Sequence, residues 1–356
     1  MFGDQHVVGE IQVPSDLGAV ADLAPVRDSD RPVWLALGED DTITRWDMAA
    51  GSHEAVGATT AWDESHREPW TDSFGVRRHL HASHDGMFAA VVNDHGRYGQ
   101  VVDLRTGAIT LELDNDGEEE ETVPFSLQFT RSRGRCVVIH RTACNRLDVS
   151  DPQTGALLTD RPSPEYLDAK SAPPEHYLDY FHGALYVSPD GKRILDDGWA
   201  WHPIGIPVVW DLDRWIEGNV WESEDGPSRV SVCDRGDYWN HAMTWIDSTR
   251  IAVGVLGHDE RDMRPGARIF DISRTGQSEP PQAPVVLELL SFEGPAGHFF
   301  SDGTRLFSSG DTELAIWDPT EGKPLGTVPD FSPTHYHPGA RQFVQVTDDV
   351  VRFWTA

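Results

Sequence analysis

Seven short segments of one pattern recur along the chain. Each has a β-branched or aromatic run, then Trp or another apolar residue, then Asp, then a turn holding Gly or Pro. They read TITRWDMAAG (42–51), GQVVDLRTG (99–107), NRLDVSDPQTG (145–155), PVVWDLDRW (207–215), ARIFDISRTG (267–276), LAIWDPTEG (314–322) and VRFWTA (351–356). With positions 46, 102, 147, 210, 270, 317 and 353 as equivalents of the Trp, successive spacings are 56, 45, 63, 60, 47 and 36, averaging about 51 residues. That period suits a four-stranded unit with long loops. A second signal, a turn followed by an apolar run, precedes these segments: SHDGMFAAVV (83–92), SRGRCVVI (132–139), SPDGKRIL (188–195), DSTRIAVGV (247–255), SDGTRLF (301–307) and HPGARQFVQV (337–346). Asp-Gly between apolar runs marks a hairpin, because glycine takes the positive φ the turn needs.

Each unit therefore reads as strand a, turn, strand b, loop, strand c ending near Trp-Asp, turn, strand d. One such meander cannot bury both of its faces, whereas seven stacked radially can. The SPDG at 188–191, with Val-Trp-Asp at 209–211 and Ile-Trp-Asp at 316–318, resembles the WD-repeat family of β-propellers over essentially the whole chain. The Gly-His pair usual in that family is missing or misplaced in most repeats. The resemblance implies an all-β, seven-bladed propeller of four-stranded antiparallel blades, spanning residues 1–356 as one domain and serving as an interaction platform. The last repeat stops after its third strand, and HVVGEIQV (6–13) is a spare strand ahead of the first full unit. A strand at about 5–13 is thus expected to complete the blade formed by about 331–356, leaving no open edge. In the first repeat, strands are expected near 19–26, 33–38 and 42–47.

Composition limits the partners. Twenty-nine Lys+Arg against 59 Asp+Glu give a net charge of −30, which argues against nucleic acid and against anionic lipid surfaces. Lys170, Lys192 and Lys323 are the only lysines among the 29 basic residues. The N-terminal MFGDQHVVGEIQV lacks a basic region and a long apolar core, and no run approaches the ~18 apolar residues that span a bilayer. Cys136, Cys144 and Cys233 make no CxxC and are expected to be reduced, mostly buried thiols. The expected setting is cytoplasmic and the expected state a monomer.

Function should sit on loops and at the channel mouth. Loops from d to the next a, and from b to c, share one rim. Three of the former are long, 61–82, 160–182 and 222–241, and two of the latter are expanded, 196–207 and 257–266. Eleven of 16 histidines are assigned to that rim: His79, His81, His95, His140, His176, His182, His202, His241, His258, His298 and His335. His182, His241, His298 and His335, from different inner strands, could hold iron, zinc or copper. Such a site needs three or four nitrogens at about 2.1 Å. Against this stands the plainer role of each as a buried histidine bonded to an Asp. His241, His298, Asp259 and Glu260 are the candidate acid/base groups of an enzymatic alternative. No cofactor is expected otherwise.

Trp199, Trp201, His202, Tyr238, Trp239 and Tyr180 form the candidate surface for a partner protein, peptide or small ligand, since clustered loop aromatics are what binding surfaces use. Asp114, Asp116 and Gly117 begin like a calcium loop but lack its distal Glu, and a solvated acidic loop is the simpler reading. Cys233, near Arg235 and His241, could be a nucleophile or a plain thiol. GxSxG, HExxH, P-loop and GxGxxG patterns are all missing. The leading reading is a binding protein.

Overall fold

The apolar runs between the turns form strands, and the turns join them into antiparallel meanders. The computed structural model describes residues 7–60, 62, 64, 75–117, 122–163, 172–201, 204–236, 239–257, 261–273, 286–347 and 349–356. Seven sheets stand in a ring as a seven-bladed β-propeller. Blade 1 consists of Val20–Pro25, Val33–Gly38, Thr42–Asp47 and Ser52–Ala58, counted outward from the axis. The inner strands of blades 2 to 7 are Arg77–Ala82, Leu127–Ser132, Phe181–Val187, Met243–Trp245, His298–Ser301 and His335–His337. The outer strand of blade 7 is Gly9–Gln12, which pairs with Val350–Thr355 in the register Gly9↔Phe353 to Gln12↔Val350.

The core is divided among the blade interfaces. Seven clusters of buried apolar side chains lie one between each pair of neighbouring blades. The cluster that closes the ring joins Trp34, Trp46 and Met48 of blade 1 to Val344 and Val351 of blade 7. Each sheet thus buries both faces against its neighbours, and the hydrophobic effect acts on the ring as a whole. Trp46 and Trp210 are fully inside, as expected of strand c. Trp317 is half-buried and donates through Nε1 to Ser308 Oγ at 2.9 Å.

The Asp that follows the Trp position has a local task. Asp47, Asp103, Asp151, Asp211, Asp271 and Asp318 each accept a backbone N–H two or three residues on, at 2.7–3.0 Å. These are Asx-type turns between strands c and d. In blade 3 the capping residue is Asp151, and Ser150, paired with Val138, occupies the Trp position. The assignment of Leu147 is therefore three residues early. In blade 7 the equivalent is Trp354, paired with Phe343, rather than Phe353.

Two blades depart from the four-strand plan. Among the described residues blade 3 has three strands, and an isolated Ser150–Leu157 bridge stands where a fourth would begin. The side chain of Arg161 takes over that edge, donating to the carbonyls of Leu147 and Thr159 and pairing with Asp148 and Glu224. Blade 4 carries two short helices, Leu212–Glu217 and Glu222–Asp225, ahead of its outer strand Val230–Ser231. Residues 222–229 therefore precede strand d, and the connection to blade 5 is shorter than expected.

Arginine ties neighbouring blades together. Arg45 donates to the Gly86 carbonyl at 2.7 Å, Arg193 to the Ser248 carbonyl at 3.1 Å, Arg250 to Thr320 Oγ1 at 3.4 Å and Arg341 to Asp302 at 3.0 Å. The guanidinium's fixed fork of donors suits such bridges, and an ammonium does not.

Candidate functional site

In an antiparallel blade the start of strand a, the b–c turn and the end of strand d share one rim. On that rim, blade 4 extends strand b, Arg193–Ala200, by a small hairpin in which Trp199 pairs with Gly205 and Ala200 with Ile204. The hairpin carries Trp201 near its tip, 56% exposed. Below it three rings stack. Phe181 lies on Trp199 at 4.2 Å between centroids, and Trp199 lies on Trp239 at 4.8 Å, with interplanar angles of 16° and 13°. Trp201 leans on this stack, 5.9 Å from Trp199.

Polar edges lock the stack. Trp239 Nε1 donates to the Thr122 carbonyl at 2.9 Å, Asn240 Nδ2 donates to the same oxygen at 2.6 Å, and Trp199 Nε1 reaches Thr122 Oγ1 at 3.3 Å. Thr122 belongs to the connection that enters blade 3, so three blades share the tie. Phe181, Thr122 and Asn240 were not legible as site residues, because their roles arise only once distant loops meet. Trp199 is 3% exposed and serves as the filling of the stack rather than as a contact surface. Tyr180, also 3% exposed, is a correction too. Its hydroxyl donates to the Ile206 carbonyl at 3.0 Å and accepts from Gly198 N–H at 2.8 Å, so it lies in the blade and not on the surface. His202, Tyr238, Asp259 and Glu260 lie outside the described residues.

The four candidate metal ligands are not brought to one point. His182 is fully buried, and its Nδ1 donates to Asp196 at 2.6 Å. The bulge that permits this needs Gly183, where a Cβ would lie 2.0 Å from the Asp197 carbonyl oxygen. His335 is held by Asp22 at 2.7 Å. His241 and His298 line a separate cavity of about 430 Å³ between blades 5 and 6, with Met263, Arg264 and Phe299 among its walls. Burial, then the charge of Arg235, pushes His241 down to about 4. Burial, then the charges of His335 and Arg77, lowers His298. Both imidazoles are therefore neutral at pH 7, able to exchange hydrogen bonds with a ligand. Val255 in the same wall has φ 72, a strained conformation for a β-branched residue. Among the described residues no group of three or more His, Cys, Asp or Glu is arranged to hold a metal ion.

A second group of histidines does meet at the mouth. His79 Nδ1 donates to Asp94 at 2.9 Å, and its Nε2 lies 3.9 Å from Asp22. The His81 ring is 4.3 Å away. Burial works against a proton on His79, yet the charges of Asp94 and Asp22 outweigh it and push its pKa up to about 9. Burial, then the charge on His79, pushes His81 down to about 3. Asp22, an acid in the run Val-Ala-Asp-Leu-Ala-Pro, was visible in the sequence as a charge in an apolar strand but was not singled out.

The remaining candidates are ordinary. His140, level with the rim end of the inner strand through its pairing with Leu127, is buried and bonded to Ser150 Oγ at 2.9 Å. Asp114 takes Arg97 at 2.7 Å, so its carboxylate is already occupied by an ion pair. Burial pushes the Cys233 thiol up to about 11 and the Cys136 thiol up to about 12, which removes their nucleophilicity.

No family model matches the chain, and no curated protein matches it. Among solved structures it is similar to a chain in "Crystal Structure of Mitotic Checkpoint Complex". That match has 14% identity and a TM-score of 0.55, over 98% of this chain and 91% of that chain. At this identity the likeness is one of fold. Ring and rim together define a seven-bladed propeller with an aromatic cluster at one mouth. No helix among the described residues is long and apolar enough to cross a membrane.

Proposed function

We propose that the protein is a binding protein that engages a partner protein or peptide on the blade 4 side of this rim, with Trp201 as the anchor. The observation that carries the reading is the exposed indole of Trp201 standing on a locked three-ring stack. A rigid aromatic backed by packed rings loses little freedom on binding, and such Trp residues dominate interface energetics. The net charge of −30 favours a partner rich in Lys and Arg and gives association that weakens with salt. The neighbouring structure, described as a checkpoint complex, supports a platform role by analogy of fold.

The test separates surface from scaffold. Trp201→Ala should change folding stability by no more than about 0.5 kcal/mol yet weaken a captured partner at least about tenfold. Trp199→Ala should instead destabilise the fold by about 3–5 kcal/mol. Wild-type and Trp201→Ala proteins that retain the same partners with the same affinity would refute the reading.

A further inference from the structure

Across the ring from the tryptophans, the mouth carries an arrangement that the binding proposal does not use. His335 opens the inner strand of blade 7. Its Nε2 lies 2.7 Å from Asp22 Oδ1, and its Nδ1 lies 2.8 Å from Thr334 Oγ1. Asp22 comes from blade 1, where a bulge between Val20 and Asp22 breaks the strand register, a device that re-aims side chains beside functional sites. The other carboxylate oxygen, Oδ2, accepts the Leu80 backbone N–H at 2.8 Å. Asp22 is thus fixed from two blades, its side chain 13% exposed, while Thr334 is open to solvent.

The direction of each hydrogen bond follows from chemistry. Burial raises the Asp22 pKa, but the hydrogen bond from His335 and the charges of His79 and His335 outweigh burial and hold the carboxyl well below the usual range. An ionised carboxylate only accepts, so Nε2 of His335 carries the proton. In the neutral imidazole Nδ1 then presents its lone pair, and Thr334 is the donor in their 2.8 Å contact. A hydroxyl donating to an imidazole that is oriented by a buried carboxylate is the general arrangement of an activated nucleophile.

We propose that Thr334, His335 and Asp22 form an acyl-transfer centre acting on carboxylic esters. Thr334 Oγ1 attacks the ester carbonyl carbon and forms the new C–O bond, while its proton passes to His335 Nδ1. The bond to the leaving oxygen breaks, and that oxygen takes the proton from His335. Water then attacks the acyl carbon and gives a proton to His335 Nδ1, which returns it to Thr334 as the carboxylic acid leaves. The sum is ester plus water to acid plus alcohol. Asp22 is a positioning residue that fixes the tautomer.

The probe is p-nitrophenyl acetate with the full chain. The wild type should release p-nitrophenolate and carry one acetyl group on Thr334 in a peptide map. Thr334→Ser should retain that acetylation, and Thr334→Ala should lose it. His335→Gln should slow it at least about 100-fold. Asp22→Asn keeps an acceptor for Leu80 but can donate to Nε2, which forces the proton onto Nδ1. Ring ¹⁵N spectra should show this tautomer reversal together with loss of acylation, whereas a purely structural Asp22 would leave acylation of Thr334 in place despite the reversal. Acetyl groups found only on other residues, acetylation of Thr334 at an unchanged rate in His335→Gln, or a wild-type His335 protonated on Nδ1 would each overturn the proposal. If a variant fails to fold, the wild-type peptide map and ring spectrum decide the matter.

Discussion

His79 and His81 share one strand and lie in ring contact, yet only one holds a proton at neutral pH. The unfolded value of each is about 6.5. For His79 the folded value is higher, so its stabilisation is whole below 6.5 and is lost as the pH rises to about 9. His81 shows the opposite shift. The unfolded chain binds a proton that the folded chain refuses, so stability falls as the pH drops from 6.5 toward 3. Asp22 and Asp94, both lowered, add to the loss at the acid end. Urea midpoints should therefore peak near pH 6.5. His79→Gln should flatten the alkaline limb up to about pH 9, and His81→Gln should make the acid limb shallower. A profile that rises steadily from pH 6.5 to 9 in the wild type would contradict this account.

At the scale of elements, blade 3 shows how one side chain replaces a ladder. Arg161 is 6% exposed and reaches two carbonyls and two carboxylates. Arg161→Met removes the cation, leaving Glu224 in the interior without its ion pair and Asp148 with Arg146 alone, which should cost about 3–5 kcal/mol in urea denaturation. Arg161→Lys should recover little, because one ammonium cannot face all four acceptors. Such an edge is poorly legible in a sequence, since a strand has a period and a bridging arginine has none. The same segment hid its register. Asp148 follows the apolar Leu147 as the pattern asks, whereas Asp151 follows the polar Ser150, and only the turn that begins at Asp151 marks it as the capping residue. By contrast, the strands of blade 1 were readable to within a residue or two, because alternating apolar runs bounded by turns have few other ways to bury themselves. The aromatic rim was half legible. Trp201 could be named from its loop, but the depth of Trp199 and Tyr180 depends on rings and carbonyls contributed by other segments.

For the whole molecule, the seven-part period was the strongest signal, because a fold that buries repeats only against repeats must close on itself. Closure here uses Gly9–Gln12 against Val350–Thr355. Deleting residues 1–13 exposes the edge of that last strand and removes Ile11 and Val13 from the packing around the blade 7–blade 1 cluster. The truncated chain should melt at lower temperature and associate in a concentration-dependent way in light scattering, as unprotected edges do. An unchanged melting point and a clean monomer would show that the closing strand is dispensable.

The direction of that last pairing also sets how the ring answers to force. Gly9 lies opposite Phe353, so the two chain ends leave the sheet at the same corner. Tension applied between them loads the four residue pairs in succession rather than together, and the seam should unzip under a small pull even where heat leaves the circle intact.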